Sequence, residues 1–183
     1  MAIETERRVD DDTQRLADAA KEPKSKAAGP YGHPFHPMLV TIPIGAWVAS
    51  LVFDVASRLS ADGSPALVEG SYWLIAIGVV GGLLAGIFGL MDMLTIPRQT
   101  RAFGVALTHM GLNLLVIGLY VGNFFWRNSD YQDVSEVGLG QIALSGLALL
   151  LLAVSGWLGG HLTYRYGVRV AREPDQADGF RVH

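Results

Sequence analysis

The sequence predicts an all-α integral membrane protein, a four-helix bundle with up-down-up-down topology. Four apolar runs are each long enough to cross a hydrocarbon core of about 30 Å as a helix. These runs lack the polar stripe that helices on the surface of a soluble protein show. The connecting segments are short, which makes neighbouring spans antiparallel. The predicted spans, in chain order, are 38–58, 72–94, 103–125 and 140–162.

The membrane domain is expected to cover residues 30–170, between two polar tails. Residues 1–29 are charged and are expected to be disordered or loosely helical, and residues 171–183 form the second tail. Pro37 suits the first helical position of span one, where a backbone N–H has no helical partner anyway. His36 is then the N-cap of that span.

Basic residues lie mainly at one end of the predicted bundle, the end that carries both termini. They are Lys21, Lys24, Lys26, Arg98, Arg101, Arg165, Arg169 and Arg172. The other end has only Arg58 and Arg127. The positive-inside rule therefore predicts a multi-pass protein of the bacterial inner (plasma) membrane with both termini cytoplasmic.

Composition excludes several kinds of site. The chain has no cysteine, so disulfides, thiolate metal sites, iron–sulfur clusters and covalently attached haem are excluded. The N-terminal segment lacks the apolar core of a secretory signal. It mixes both charge signs without a sustained basic face, which argues against nucleic-acid binding.

Four of the five histidines and one aspartate are predicted to gather at the cytoplasmic end of the bundle. They are His33, His36, Asp92, His109 and His161. Ionisable side chains within membrane helices are costly and usually face the bundle interior. The cluster is therefore the candidate functional site.

Two cofactor assignments fit this cluster. In the first, His36, His109 and His161 supply the ligands of a b-type haem, which needs imidazoles and no cysteine. In the second, all five residues surround a transition metal such as Zn, Fe, Cu or Mn. Either cofactor would support membrane redox chemistry.

A structural interpretation stands beside these. Asn113 lies four residues after His109 and shares its helix face, so the two can form a packing network. His161, near a helix C-terminus, is predicted to be the protonated partner of Asp92. In span one, Asp54 is predicted to pair with Arg58, four residues later.

The positions of the polar residues also suggest a two-fold repeat. His36 opens span one and Asp92 nearly ends span two, while His109 opens span three and His161 nearly ends span four. This pattern fits two parallel helical hairpins that face one another across a shared site.

Three functions remain open at this stage, and no residue pattern decides whether the protein is an enzyme. The first is a haem or metal protein of membrane electron transfer. The second is a structural or interaction subunit of a membrane complex without a cofactor, and the third is a small proton-coupled transporter. The expected partners are the lipid bilayer and either a second copy of the chain or a membrane redox protein.

Two motifs resemble those of a bacterial membrane family, domain of unknown function 2231. The run GHPFHPMLVTIPIG, residues 32–45, is similar to the opening motif of that family, and SGWLGGHLTYRYGVRV, residues 155–170, is similar to its closing motif. Some family members are joined to Rieske or cytochrome-type domains, which implies electron transfer nearby. These 183 residues contain no cysteine for a Rieske centre, so the implication is an analogy.

Overall fold

The structure is a computed structural model that describes the backbone of residues 2–182 and the side chains of residues 10–182. Its α-helices are α1 (Ala2–Lys21), α2 (His36–Leu39), α3 (Thr41–Leu59), α4 (Pro65–Met93), α5 (Arg101–Arg127), α6 (Leu139–Gly160) and α7 (Glu173–Asp178). A 3-10 turn covers Lys26–Ala28, and a π-helical turn, His161–Arg165, continues α6. The described part of the chain contains no β-strand.

Four helical segments are long and apolar enough to span a membrane, which confirms the predicted class. They are His36–Leu59, Pro65–Met93, Arg101–Arg127 and Leu139–Arg165. The second starts seven residues before the predicted position because Pro65 occupies the first helical turn after Ser64. Proline is favoured at that position, so the segment predicted as the end of a loop is helical.

The spans pack as two hairpins that close into one bundle. The first hairpin, residues 36–93, joins α3 to α4, and the second, residues 101–165, joins α5 to α6. Contacts of α4 with α5 and of α3 with α6 complete the ring. The centre is a buried cluster to which every span contributes: Trp47, Ile75, Val116, Tyr120 and Ala148.

The bundle is apolar on its outside and carries polar groups inside. Val52, Val80, Leu114 and Leu150, one from each span, are each at least 58% exposed. Large apolar side chains distributed around a helix bundle suit a hydrocarbon surrounding. The fully buried polar side chains therefore need partners within the protein, since lipid offers no hydrogen bonds.

At the end of the bundle that carries both termini, segments outside the four spans pack against the ends of the helices. A small apolar cluster joins Ala20 of α1 to Ile96, Ala106, Leu162 and Val168. The amide of Arg169 also donates to the carbonyl of Ala20 at 3.0 Å. The last turn of α1 is thereby attached to the membrane domain. We call this end, where His36 and His109 lie, the histidine end.

Candidate functional site

His36 and His109 face one another across the bundle at the histidine end. Their ring centroids are 6.2 Å apart, and the ring planes are nearly perpendicular, at 87°. His36 belongs to the short helix α2 that starts the first hairpin, and His109 lies in the third turn of α5 in the second. The structure thus brings together two of the five predicted site residues.

Both imidazoles are oriented by a helix carbonyl. Nδ1 of His36 lies 2.9 Å from the Ala85 carbonyl oxygen, and Nδ1 of His109 lies 2.7 Å from that of Ser155. A carbonyl oxygen only accepts hydrogen bonds, so Nδ1 must carry the proton in both rings. In the neutral imidazole, Nε2 is then the acceptor nitrogen, and at His109 it faces the Asn113 amide nitrogen, 3.1 Å away.

His109 has further partners on its own helix and on α6. The Ser155 hydroxyl lies 3.0 Å from Nδ1 and donates to the His109 carbonyl at 3.1 Å. The Asn113 amide nitrogen lies 3.1 Å from Nε2 and 3.0 Å from the same carbonyl. The predicted packing of Asn113 with His109 is therefore present.

Two glycines leave room for the imidazoles. A Cβ atom at Gly89 would lie 2.9 Å from ring atoms of His36, and one at Gly159 would lie 3.0 Å from Cε1 of His109. Such separations are too short for a side chain to be added without displacing the ring. Gly89 lies four residues after Ala85, whose carbonyl binds His36, and Gly159 lies four residues after Ser155, whose carbonyl binds His109. One face of the neighbouring helix therefore both orients each ring and leaves space for it.

Asp92 pairs with Arg169, so the predicted pairing of Asp92 with His161 was wrong. Nε of Arg169 lies 2.8 Å from Oδ1 of Asp92, and both side chains are buried. Arginine keeps its charge at any ordinary pH, and its side chain extends back from the turn after the last span to the end of α4. It therefore displaces histidine as the counterion. Asp92 follows Gly89 by one helical turn, which places this ion pair beside His36.

Arg169 is unusual in two further respects. Its φ angle is +61°, a left-handed conformation that is uncommon outside glycine. Its Nη2 donates to the carbonyls of Ala28 and Gly29, but Nη1 has no hydrogen-bond acceptor among the described residues. Nε also has no acceptor with hydrogen-bond geometry among the described residues. Its 2.8 Å contact with Asp92 is therefore an ion pair and not a directed hydrogen bond. The side chain has unused donors in a buried position.

The other two predicted histidines lie apart from the facing pair. His161 opens the π-helical turn and packs between Trp157 and Tyr166, with ring centroids 5.5 and 4.8 Å away. His33 is exposed, with Nδ1 3.4 Å from the Tyr31 carbonyl oxygen. Within the described residues, no group of three or more histidine, aspartate or glutamate side chains could hold a metal ion. The five residues are therefore not assembled into one metal site.

A second polar cluster, which the sequence argument missed, lies at the opposite end of the bundle. Arg127 binds Asp54 through two hydrogen bonds, Nη1 to Oδ1 and Nη2 to Oδ2, each 2.7 Å long. Both side chains are at most 2% exposed. The predicted pair of Asp54 with Arg58 was wrong: Arg58 contacts Glu136 at 3.3 Å and the Val137 carbonyl at 3.0 Å. Asp54 is buried in the bundle interior, where Arg127 meets it with a bidentate pair of hydrogen bonds.

All four spans contribute polar atoms to this ion pair. The Ser71 hydroxyl donates to Asp54, and Nε of Arg127 donates to the Asn123 side-chain oxygen at 2.9 Å. The Asn123 amide donates in turn to the hydroxyl of Ser145, at 2.8 Å. A buried charge pair is stable only when its remaining donors and acceptors also have partners, as they do here. Buried serines and an asparagine in otherwise apolar runs were the available sequence signal.

The two hairpins are related by a regular repeat. Trp47 and Asp54 follow His36 by 11 and 18 residues, and Tyr120 and Arg127 follow His109 by the same intervals. These intervals are about three and five helical turns, so each set lies along one helix face. The three resulting pairs, His with His, Trp with Tyr and Asp with Arg, meet across the bundle interior.

The hydrogen bonds of the two hairpins repeat as well. Nε1 of Trp47 donates to the Ile75 carbonyl at 3.4 Å, and the Tyr120 hydroxyl donates to the Ser145 carbonyl at 3.3 Å. Ile75 and Ser145 are separated by 70 residues, as are Ala85 and Ser155, which bind the two histidines.

The same interval of 70 relates two more pairs. It links Gly89 to Gly159, which accommodate the two imidazoles, and also Gln99 to Arg169, the only described non-glycine residues with positive φ, at +68° and +61°. In this register Asp92 corresponds to Leu162, so the predicted equivalence of Asp92 and His161 is displaced by one residue.

A family model described as "Predicted membrane protein (DUF2231)" matches residues 32–172. Neither the curated proteins nor the solved structures contain a significant match. The chain therefore belongs to the family of predicted membrane proteins with domain of unknown function 2231.

Proposed function

We propose that this family member is a membrane redox protein in which His36 and His109 would hold the iron of a b-type haem. One observation carries the proposal: both imidazoles donate Nδ1–H to a helix carbonyl, at 2.9 and 2.7 Å, which leaves Nε2 as the unprotonated nitrogen of each ring. Metal-binding histidines are typically held in this way, because the second-shell hydrogen bond fixes the tautomer and raises the basicity of the ligating nitrogen.

The spacing of the rings supports the same assignment. Two imidazoles that share one metal through Nε2, with bonds of about 2.0 Å each, must have ring centroids no more than roughly 6–6.5 Å apart. The centroids of His36 and His109 are 6.2 Å apart. His36 makes no hydrogen bond through Nε2 within the described residues, and at His109 a metal would replace the Asn113 amide.

Haem is favoured over a bare metal ion by the donors beside the pair. Two imidazoles are enough to hold haem iron, and the chain has no thiolate to offer. Haem also carries two carboxylate side chains, which need donors near the aqueous end of a membrane site. Arg169, with Nη1 unpartnered and buried next to Asp92, is the residue suited to bind one of them.

In this proposal the bound haem supplies one-electron transfer, and the protein supplies ligation and charge balance. His36 and His109 hold the iron between the hairpins, and Asp92 and Arg169 set the local charge. His161 and His33 are not ligands, because they lie in an aromatic contact and at the surface respectively. We also propose, from the basic residues at the histidine end, that this end faces the cytoplasm of a bacterial cell.

The test is an absorption spectrum of detergent-purified protein, made with haem and metals supplied, with elemental analysis of the same sample. A Soret band and about one iron per chain are expected. The variants His36→Ala and His109→Ala should each abolish the band, while His33→Ala and His161→Ala should retain it. A folded, colourless and metal-free protein would refute the proposal, and a stoichiometric metal without haem would replace haem with a bare metal site.

A structural role without a cofactor is the second candidate, and the hydrogen bonds of His109 favour it. Its two ring nitrogens and its carbonyl all have partners, in Ser155 and Asn113, without any ligand. In that case His109→Ala lowers the thermal stability of a colourless protein. The same variants in the same preparation therefore separate the two candidates.

A further inference from the structure

We infer that the two hairpins recognise one another through a charge-selected surface, and that this selection prevents each hairpin from pairing with its equivalent in a second copy. The surface of the first hairpin consists of the face of α2 and α3 with His36, Trp47 and Asp54. Its partner is the face of α5 with His109, Tyr120 and Arg127.

Because the two hairpins repeat one another, each could also pair with the same hairpin of a second copy. Equivalent residues of the two hairpins meet in pairs across the interior, as they would in a two-fold symmetric dimer of one hairpin. Histidine with histidine, and aromatic ring with aromatic ring, are pairs that such a homodimer could also form. On these two pairs alone, a first hairpin has little basis for distinguishing a second hairpin from another first hairpin.

Asp54 and Arg127 remove the ambiguity because they occupy equivalent positions with opposite charge. A pair of first hairpins would place two carboxylates together in the bundle, and a pair of second hairpins would place two guanidinium groups together. Both residues are at most 2% exposed where they lie, and their two hydrogen bonds are each 2.7 Å long. Like charges in a site shielded from water repel strongly, so only the mixed pairing is stable.

The surrounding polar groups are also arranged in equivalent pairs. The Ser71 hydroxyl oxygen on α4 lies 3.1 Å from the carbonyl oxygen of Ser50, and the Asn123 amide donates to the carbonyl of Gln141. Ser50 and Asn123 each follow their histidine by 14 residues, and Ser71 and Gln141 are 70 residues apart. Because both sides of the ion pair offer hydroxyl or amide groups, the two charges should be exchangeable within one chain.

The test exploits the absence of cysteine from the chain. The rings of Tyr72 on α4 and Phe124 on α5 stack with centroids 4.4 Å apart, so Y72C and F124C report contact between the hairpins. One copy carries Y72C with D54R, and a co-expressed copy carries F124C with R127D. In each copy alone the hairpins repel, but exchange of hairpins between the copies restores opposite charges at both interfaces.

A bifunctional thiol cross-linker should then join the two copies. We expect at least about tenfold more cross-linked dimer than from Y72C and F124C copies with native charges, or from copies that both carry D54R. As a control, R58E replaces D54R in the Y72C copy. It changes the exposed Arg58–Glu136 pair at the same end of the bundle and should not raise cross-linking above that of copies with native charges. A single chain with D54R and R127D should fold and elute as the native protein does.

Two results would overturn the inference. One is equal cross-linking with native and with complementary charges, which would mean that the charges select nothing. The other is absence of the cross-link in the complementary pair, with or without folding of the exchanged single chain. Neither result depends on haem, since the assay reads hairpin contact, so the inference can fail while the proposed function stands.

Discussion

Trp47 and Tyr120 stack face to face at the centre of the bundle, with ring centroids 4.3 Å apart and ring planes 5° from parallel. They occupy equivalent positions of the two hairpins, between the histidine pair and the Asp54–Arg127 pair. Each ring also donates a hydrogen bond to a backbone carbonyl of the neighbouring helix. The stack therefore joins all four spans.

Removing this stack should destabilise the protein more than any single hydrogen bond does. Trp47→Ala should lower the free energy of unfolding by about 3–5 kcal/mol, as expected for a large buried aromatic. Tyr120→Phe keeps the ring and loses only the bond to Ser145, at a cost of about 0.5–1.5 kcal/mol. Denaturant titration in detergent micelles measures both. Equal losses would mean that the stack itself contributes little.

Arg127 and Arg58 should differ sharply in their importance. Arg127→Gln leaves the buried Asp54 without a counterion and should cost about 3–5 kcal/mol, whereas Arg58→Gln removes an exposed pair worth at most about 1 kcal/mol. The thermal midpoints of the two variants, measured in one detergent, provide the comparison. Similar midpoints would contradict the assignment of Arg127 as the partner of Asp54.

Four glycines provide a matched test of the space beside the imidazoles. Gly89→Ala and Gly159→Ala should each lose about 1–3 kcal/mol, because the added methyl group meets a histidine ring. At Gly86 and Gly156 nothing lies within 4 Å of an added Cβ, so alanine there should be neutral or stabilise the helix by up to about 1 kcal/mol. Thermal unfolding of the four variants, followed by circular dichroism and compared with the unsubstituted protein, measures these differences.

The two left-handed turns should respond differently to glycine. Gln99→Gly relieves the positive φ angle and should be neutral or stabilising, by up to about 1 kcal/mol. Arg169→Gly relieves the same strain but leaves Asp92 buried without its counterion, so the protein should be destabilised overall. Stabilisation by both substitutions would show that the Asp92–Arg169 pair is dispensable.

Tyr31 should show a pH effect at the C-terminal segment. Its hydroxyl donates to Asp175 at 2.6 Å and accepts from the Arg172 amide, and the bond to Asp175 raises the pKa of Tyr31 above its usual value. A raised folded-state pKa means that this contact stabilises the fold below the normal tyrosine pKa. Its contribution is lost as the pH rises through the folded-state pKa. Amide protection in α7, after correction for base-catalysed intrinsic exchange, should fall as the pH rises through the folded-state pKa of Tyr31, and Tyr31→Phe should abolish that fall.

Hydropathy and loop length were sufficient for the fold, because the length of an apolar run and the absence of polar stripes are local properties. The facing of His36 and His109 could also be predicted, since both lie near the start of spans that run in the same direction, the first and the third. The two buried ion pairs, Asp54–Arg127 and Asp92–Arg169, could not be predicted from the sequence. Asp54 had Arg58 four residues away, and the choice of Arg127 depends on which face of α3 is buried.

Arg169 was missed for a related reason. Its side chain reaches Asp92 from a left-handed turn after the last span, and nothing in the residue type predicts that conformation. An offset of 73 residues aligns helix one with helix three, and an offset of 70 aligns helix two with helix four. Comparison of the two halves at the second offset would have paired Arg169 with Gln99. The repeat is visible only when helices one and three are compared at a different interval from helices two and four.

The distances in sequence between the paired charges have a consequence for biosynthesis. Asp54 meets a residue 73 positions later, and Asp92 meets one 77 positions later, just after the fourth span. When the first hairpin leaves the ribosome, both of its buried carboxylates lack their counterions. Because an unpaired charge in the hydrocarbon core is costly, this hairpin should remain with the insertion machinery until the second arrives. Release into the lipid would then report that the chain has been synthesised past the fourth span.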